Sequence, residues 1–147
     1  MLCLRPFTNS DVDLICEKLM PGVSADEAAR LIDEWAAGSY QGRHFEMLAM
    51  TSEGAVVGSI SLFGRSERIA SIGAEVLPEE RGKGYAAEGM RLMIDKARKH
   101  GYKVIMDQVR ADNRASISLH EKLGFETDGY VYKNARDHSV LLYLLCL

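Results

Sequence analysis

The stretch EVLPEERGKGYAAEG, Glu75 to Gly89, joins a short apolar strand to a helix through a proline stop and two glycines. Gly82 and Gly84 let the backbone enter positive φ and bring bare N–H groups close to a ligand. The helix behind them adds its own orphan donors, whose partial positive charge favours a phosphate or pyrophosphate. Arg81 and Lys83 add formal charge to that preference. Read alone, the same residues also fit a tight strand-to-helix turn with solvated basic side chains, so the rest of the chain has to decide.

Working outward, the run before the turn alternates. Ala70, Ile72, Ala74 and Val76 fall on one face, and Ser71, Gly73 and Glu75 on the other. A carboxylate therefore ends this strand beside the phosphate turn, unless a bulge reverses the local facing. Phe45 to Met50, Ala55 to Phe63 and Arg68 to Leu77 are apolar or alternating runs separated by turn residues, and read as successive antiparallel strands. Before them, Leu2 to Pro6 alternates as a first strand, and Thr8 or Asn9 caps a helix carrying Val12, Leu14, Ile15 and Leu19. Ser24 opens a second helix with Ala28, Leu31, Ile32 and Trp35 on one face. After the turn, a helix from Gly84 to His100 buries Met90, Met93, Ile94 and Ala97 and carries an exposed Asp95–Lys99 pair. Lys103 to Val109 reads as a strand, and Asn113 to Leu123 as a helix stopped by Gly124. Two last strands follow, about Glu126 to Lys133 and His138 to Leu147. The order β-α-α-β-β-β-α-β-α-β-β is neither a repeat nor a regular alternation. It implies an α+β fold, a mixed and mostly antiparallel sheet of about seven strands with helices on both faces.

At 147 residues the chain has the length of one ordinary domain and can bury a core without staples, so 1–147 reads as a single domain. It is 47% hydrophobic and 27% charged with three prolines, in the globular range and away from disordered or fibrous sequences. A formal charge of -3 gives no reason to bind nucleic acid or an anionic membrane. Cys3, Cys16 and Cys146 are odd in number and lack ligand or redox spacing, so they read as small buried hydrophobes in a reducing compartment. His44, His100 and His138 also lack ligand spacing, and no metal is expected. No charged-then-apolar leader opens the sequence, and the longest apolar run, Val140 to Leu147, is too short to span a bilayer. The cytoplasm is the expected location.

Two separated segments carry a resemblance. V-L-P-E-E-R-G-K-G-Y-A (Val76 to Ala86) matches an R/Q-x-x-G-x-G/A signature, and N-R-A-S-I-S-L-H-E-K-L-G-F (Asn113 to Phe125) follows in the right order and separation. With the element order, they resemble the GNAT superfamily of acetyl-CoA-dependent N-acetyltransferases over essentially the whole chain. The opening L-C-L-R-P-F-T-N-S-D and the second segment are most similar to the RimJ/RimL branch, which acetylates protein N-termini. The resemblance implies the acyl-CoA N-acyltransferase fold, with acetyl-CoA as co-substrate between two strands that splay apart, ending near Leu77 and Val109. Its pantetheine arm would pair with backbone at Val76 and Leu77 like an added strand. Its pyrophosphate would sit on Arg81, Gly82, Lys83, Gly84, Tyr85 and Ala86. Asn113 and Ser116 would contact the arm, and simple N-capping of the helix accounts for the same two residues.

Acetyl transfer sets further demands. A primary amine with a reference pKa of ~10.4 must lose a proton, which costs about 4 to 5 kcal/mol at neutral pH. Glu75 is the first candidate base, acting through a water from a partly buried position, with Glu46, Asp107 and Glu88 as alternates; a surface or salt-bridged glutamate is the plain alternative. The resemblance places a backbone N–H near Leu77 at the oxyanion. The departing thiolate needs a proton, and where many GNAT enzymes offer a tyrosine this chain has His120. Histidine can donate near neutral pH; Tyr85, Tyr130 or a water can replace it; a core histidine hydrogen-bonded on its helix explains the residue as well.

Other readings compete. Gly82 to Ala87 also satisfies the G-x-G-x-x-A dinucleotide fingerprint, with Asp107 in the next strand, although a second β-α-β half is missing. A non-catalytic module that senses acyl-CoA fits the missing tyrosine. The acceptor amine, a protein N-terminus or a small molecule such as a polyamine or amino-sugar, is expected to meet the loop Met20 to Val23 and the last two strands around Tyr130 to His138. Arg65, Arg68, Lys133 and Arg136 read as loop charges. A largely apolar last strand suits a homodimer interface as well as a monomer core.

Overall fold

In the computed structural model, which describes residues 1–147, an eight-stranded sheet carries the fold. The strands are β1 (Leu2–Pro6), β2 (Ser39–Tyr40), β3 (Arg43–Ser52), β4 (Ala55–Gly64), β5 (Ile69–Val76), β6 (Val104–Arg110), β7 (Tyr132–Lys133) and β8 (Ser139–Cys146). Their spatial order is β1-β3-β4-β5-β6-β8-β7, with the short β2 attached to β3. Helix α1 (Val12–Leu14) lies between a 3-10 turn at Asn9–Asp11 and a π turn at Ile15–Leu19, and with α2 (Ala25–Ala36) it covers one face. Helices α3 (Tyr85–His100) and α4 (Arg114–Lys122) cover the other. The expected α+β sheet with helices on both faces is present, and β2 is the one strand that the sequence did not suggest.

Strand alternation produces both layers. Ile60 and Leu62 of β4 and Ala70 and Ile72 of β5 turn onto Met90, Met93, Ile94 and Ala97 of α3 in one apolar core. Met90 and Met93 are 1% and 0% exposed, and burial of each contributes roughly 1.5–3 kcal/mol. Met47 and Ala49 of β3 face the other way, onto Ile15, Ala28 and Ile32. Ser24 caps α2 by accepting from the Glu27 N–H at 3.2 Å, and Gly101 ends α3 in the left-handed region.

The structure departs from the expected elements in several places. The strand from Glu126 to Lys133 reduces to a bridge between Glu126 and Leu144 and the two residues of β7. Thr127 Oγ1 and Asp128 Oδ1 accept from the N–H groups of Gly129 and Tyr130 at 3.2 and 2.9 Å, and these local bonds displace a ladder. Asp95 pairs with Arg98 at 2.7 Å rather than with Lys99, since i,i+3 neighbours are equally close on a helix. Cys3 and Cys146 are exposed because each occupies the outward phase of its strand, and Cys16 is half-buried. No helix is long and apolar enough to cross a membrane.

The parallel pair in the middle of the sheet positions the site. β5 and β6 pair only at Ile69 with Val104 and at Ala70 with Ile105, and beyond those residues the strands part. On its other edge β5 stays in continuous antiparallel register with β4 from Ala70 to Val76, so no bulge reverses Ser71, Gly73 and Glu75. A doubly wound dinucleotide sheet would be parallel on both sides of this strand, and the β4–β5 pairing excludes it.

Candidate active site

The parting strands open a cavity of about 660 Å³, walled by Ala74, Glu75 and Val76 of β5, by the glycine turn, and by Asn113, Ser116, Leu119 and Lys122 around α4. Gly82 and Gly84 adopt φ of 80° and 83°, and a Cβ at either would meet nothing within 4 Å, so conformation rather than space demands glycine there. No backbone N–H from Gly82 to Ala87 donates to a protein acceptor; the first bond back onto the turn runs from the Glu88 N–H to the Gly84 carbonyl at 3.1 Å. These amides, with the start of α3 behind them, form an open cradle for an anion. Arg81 and Tyr85 line it, Lys83 is turned into a 2.7 Å ion pair with Glu80, and Lys122 faces it from α4.

Leu77 is buried at 3% exposure, and its N–H donates to the Val57 carbonyl at 2.8 Å. That bond removes it as the oxyanion donor and as a pairing edge for the donor arm. The Ile72 N–H points to the opposite edge, where Asp107 Oδ1 accepts it at 2.9 Å. By alternation the N–H groups of Ala74 and Val76 point the same way, into the cleft, at a level that β6 has already left.

Asp107 fills the root of this splay. Its Oδ2 lies 3.0 Å from His120 Nε2, and His120 Nδ1 lies 2.7 Å from the Ser116 carbonyl. With acceptors on both sides, the ring carries a proton on each nitrogen. Burial opposes that charge, but the hydrogen bonds to Asp107 and Ser116 outweigh it and raise the His120 pKa above its ordinary 6.5. His120 is 5% exposed, packs on Phe125 at 4.8 Å between ring centres, and does not line the cavity. Neither nitrogen is free to protonate a thiolate in the cleft, which corrects the role expected from the sequence.

A pH dependence follows from the sign of this shift. A histidine whose folded pKa lies above its unfolded value near ~6.5 contributes fully below that value, and the contribution is lost as pH rises through the folded pKa. As pH rises from about 6.5 through the folded pKa, the protein is expected to lose stability that the double variant Asp107→Leu with His120→Leu does not lose. Urea denaturation of both at each pH measures the difference.

Among the carboxylates, Glu75 is exposed at the mouth of the cleft, without the expected burial, and makes no hydrogen bond or ion pair with the protein. The alternates are occupied. Glu88 Oε1 accepts from the Leu2 N–H at 3.1 Å, Glu46 lies between His44 at 3.0 Å and Lys96 at 3.4 Å, and Asp107 is sealed in the splay. Asn113 Oδ1 accepts the Ser116 N–H at 3.0 Å, so the capping role is realised. The Tyr85 hydroxyl is directed at Ser52 Oγ, 3.3 Å away. Ala115, Ser118, Leu119 and Lys122 also line the cavity and were not singled out from the sequence. Their i, i+3, i+4, i+7 spacing marks one face of α4 and is the signal that would have found them.

Residues 1–126 match the Acetyltransferase (GNAT) domain, and the chain belongs to the GNAT acetyltransferase family. It is 39% identical over 54 residues to an L-methionine sulfoximine/L-methionine sulfone acetyltransferase of Pseudomonas aeruginosa, a match covering 37% of this chain and 31% of that protein. It is 30% identical over 118 residues to an uncharacterized SPbeta prophage-derived N-acetyltransferase of Bacillus subtilis strain 168, covering 78% of this chain and 66% of that one. The chain thus spans about a third of the first relative's length and just under two thirds of the second's. In fold it is similar to Mycobacterium smegmatis RimJ in complex with CoA-disulfide, with a TM-score of 0.83 at 19% identity, over 99% of this chain and 81% of that one.

Proposed function

We propose that this chain, as one N-acetyltransferase domain, transfers an acetyl group from acetyl-CoA to a primary amine by direct attack on the thioester. The observation that carries the reading is the run of free amides from Gly82 to Ala87 at the end of a cleft whose wall is an edge of β5 that no strand pairs, with Arg81 Nε donating to the Val76 carbonyl at 3.3 Å. The turn and the start of α3 hold the diphosphate, with Arg81 and Lys122 beside it. The open edge at Ala74 and Val76 receives the amides of the pantetheine arm as a neighbouring strand would. That arrangement sets the thioester beside Glu75, which takes the amine proton through a water, while the Val76 or Ala74 N–H holds the developing oxyanion in place of Leu77. The thiolate takes its proton from solvent. His120 is a positioning residue that ties α4 to Asp107, and Asn113 and Ser116 meet the donor from the α4 side. The acceptor fits the RimJ/RimL branch, a protein N-terminus, in the cytoplasm, with the chain a monomer or homodimer.

Release of free thiol across a panel containing a peptide N-terminus, a polyamine and an amino-sugar tests the reading directly. Amine-dependent release is expected. Binding of acetyl-CoA without release for any amine would favour an acyl-CoA sensor, a reading that the sealed position of His120 supports. Gly84→Ala is expected to strain the turn by about 1–2 kcal/mol at its positive φ and to raise KM for acetyl-CoA roughly tenfold. S-acetylpantetheine, which lacks the diphosphate, should be used equally well by both forms. An equal loss on the two donors would remove the diphosphate from the turn.

A further inference from the structure

On the sheet face opposite α3, register sets Ser59 beside Glu75 and Phe63 beside Ser71, so one floor runs from Glu75 to Phe63. At its far end the guanidinium carbons of Arg43 and Arg65 each lie 5.9 Å from the centre of the Phe63 ring. Arg65 Nε donates to Ser71 Oγ, and Arg43 Nη1 donates to the Arg65 carbonyl at 3.0 Å, so protein contacts hold both groups. Neither has a carboxylate partner in the fold. Two cations held against one ring repel each other. The Phe63 ring offsets part of that repulsion, and a carboxylate that reached both guanidinium groups would offset more of it.

The spacing identifies what carries that carboxylate. Glu75 and Ser71 are four residues apart on β5, about 13 Å at ~3.3 Å per residue. A free amino acid is too short to bridge that distance, and a polyamine brings the wrong charge. An extended peptide advances about 3.3–3.6 Å per residue. Resting on the amine acetylation proposed above, we infer that the acceptor is a peptide N-terminus with an acidic side chain near its fourth residue, and that Arg43 and Arg65 select it.

Short peptides that differ only in Glu, Gln or Lys at the fourth position test this. The Glu peptide is expected to exceed the Lys peptide in kcat/KM by roughly tenfold at low salt, with the margin shrinking as salt screens it. The double variant R43Q/R65Q should lose the margin and act on the Gln peptide within about twofold of the unaltered protein. Absence of a margin, its survival in the double variant, or preference for a polyamine would overturn the inference. If no amine is acetylated, the functional reading fails, and calorimetric binding of the N-terminally blocked Glu peptide still judges the arginines. Binding lost in R43Q/R65Q supports them; no binding, or equal binding, overturns them.

Discussion

Asp107→Ala is expected to destabilise the protein by about 3 to 5 kcal/mol, the range for removing one partner of a buried ion pair. The carboxylate meets His120 through one oxygen and the Ile72 N–H through the other, and it is 4% exposed. Its loss leaves the buried imidazole without the group that holds its charge, and the Ile72 N–H without an acceptor. Asp107→Leu combined with His120→Leu removes both charges and leaves only the Ile72 donor unmatched, a cost of about 1–3 kcal/mol. The double variant should therefore be more stable than the single one although it deletes more contacts. Equal urea midpoints and slopes for the two would show that no charge pair is buried there.

Glu75→Gln is expected to lower kcat by about a hundred- to ten-thousandfold, the usual contribution of a positioned base, with acetyl-CoA affinity unchanged. Because Glu75 is exposed and unpaired, its replacement should alter stability by less than about 0.5 kcal/mol. The loss depends on the acceptor. An α-amine with a reference pKa of about 7.7–8.0 is partly deprotonated at neutral pH, so a peptide N-terminus should suffer less than an alkylamine near ~10.4. For both acceptors the deficit should narrow as pH rises. An unchanged kcat on an alkylamine at neutral pH would leave Glu75 without a role as base.

What was legible in the sequence was local. Apolar periodicity located α2 and α3, and the glycines marked the left-handed turn that joins β5 to α3. Parity along β5 correctly set Glu75 apart from the core. The parts that were misjudged depend on partners far along the chain. Which edge of β5 an amide faces is decided by the register with β4, so the engagement of Leu77 by Val57 could not be seen in the side-chain pattern. His120 invited a catalytic reading because its position in the motif was visible and its contact with Asp107, across the α4–β6 packing, was not. The Thr127 and Asp128 side-chain bonds broke a strand that composition alone supported. Arg65 looked like a loop charge for the same reason, since Phe63, Arg43 and Ser71 converge on it only in three dimensions.

The seam of two residue pairs between β5 and β6 divides the sheet into two plates. In the chemistry proposed here the donor's arm occupies the gap as a temporary strand, and for that interval the incoming molecule is a structural member of the protein.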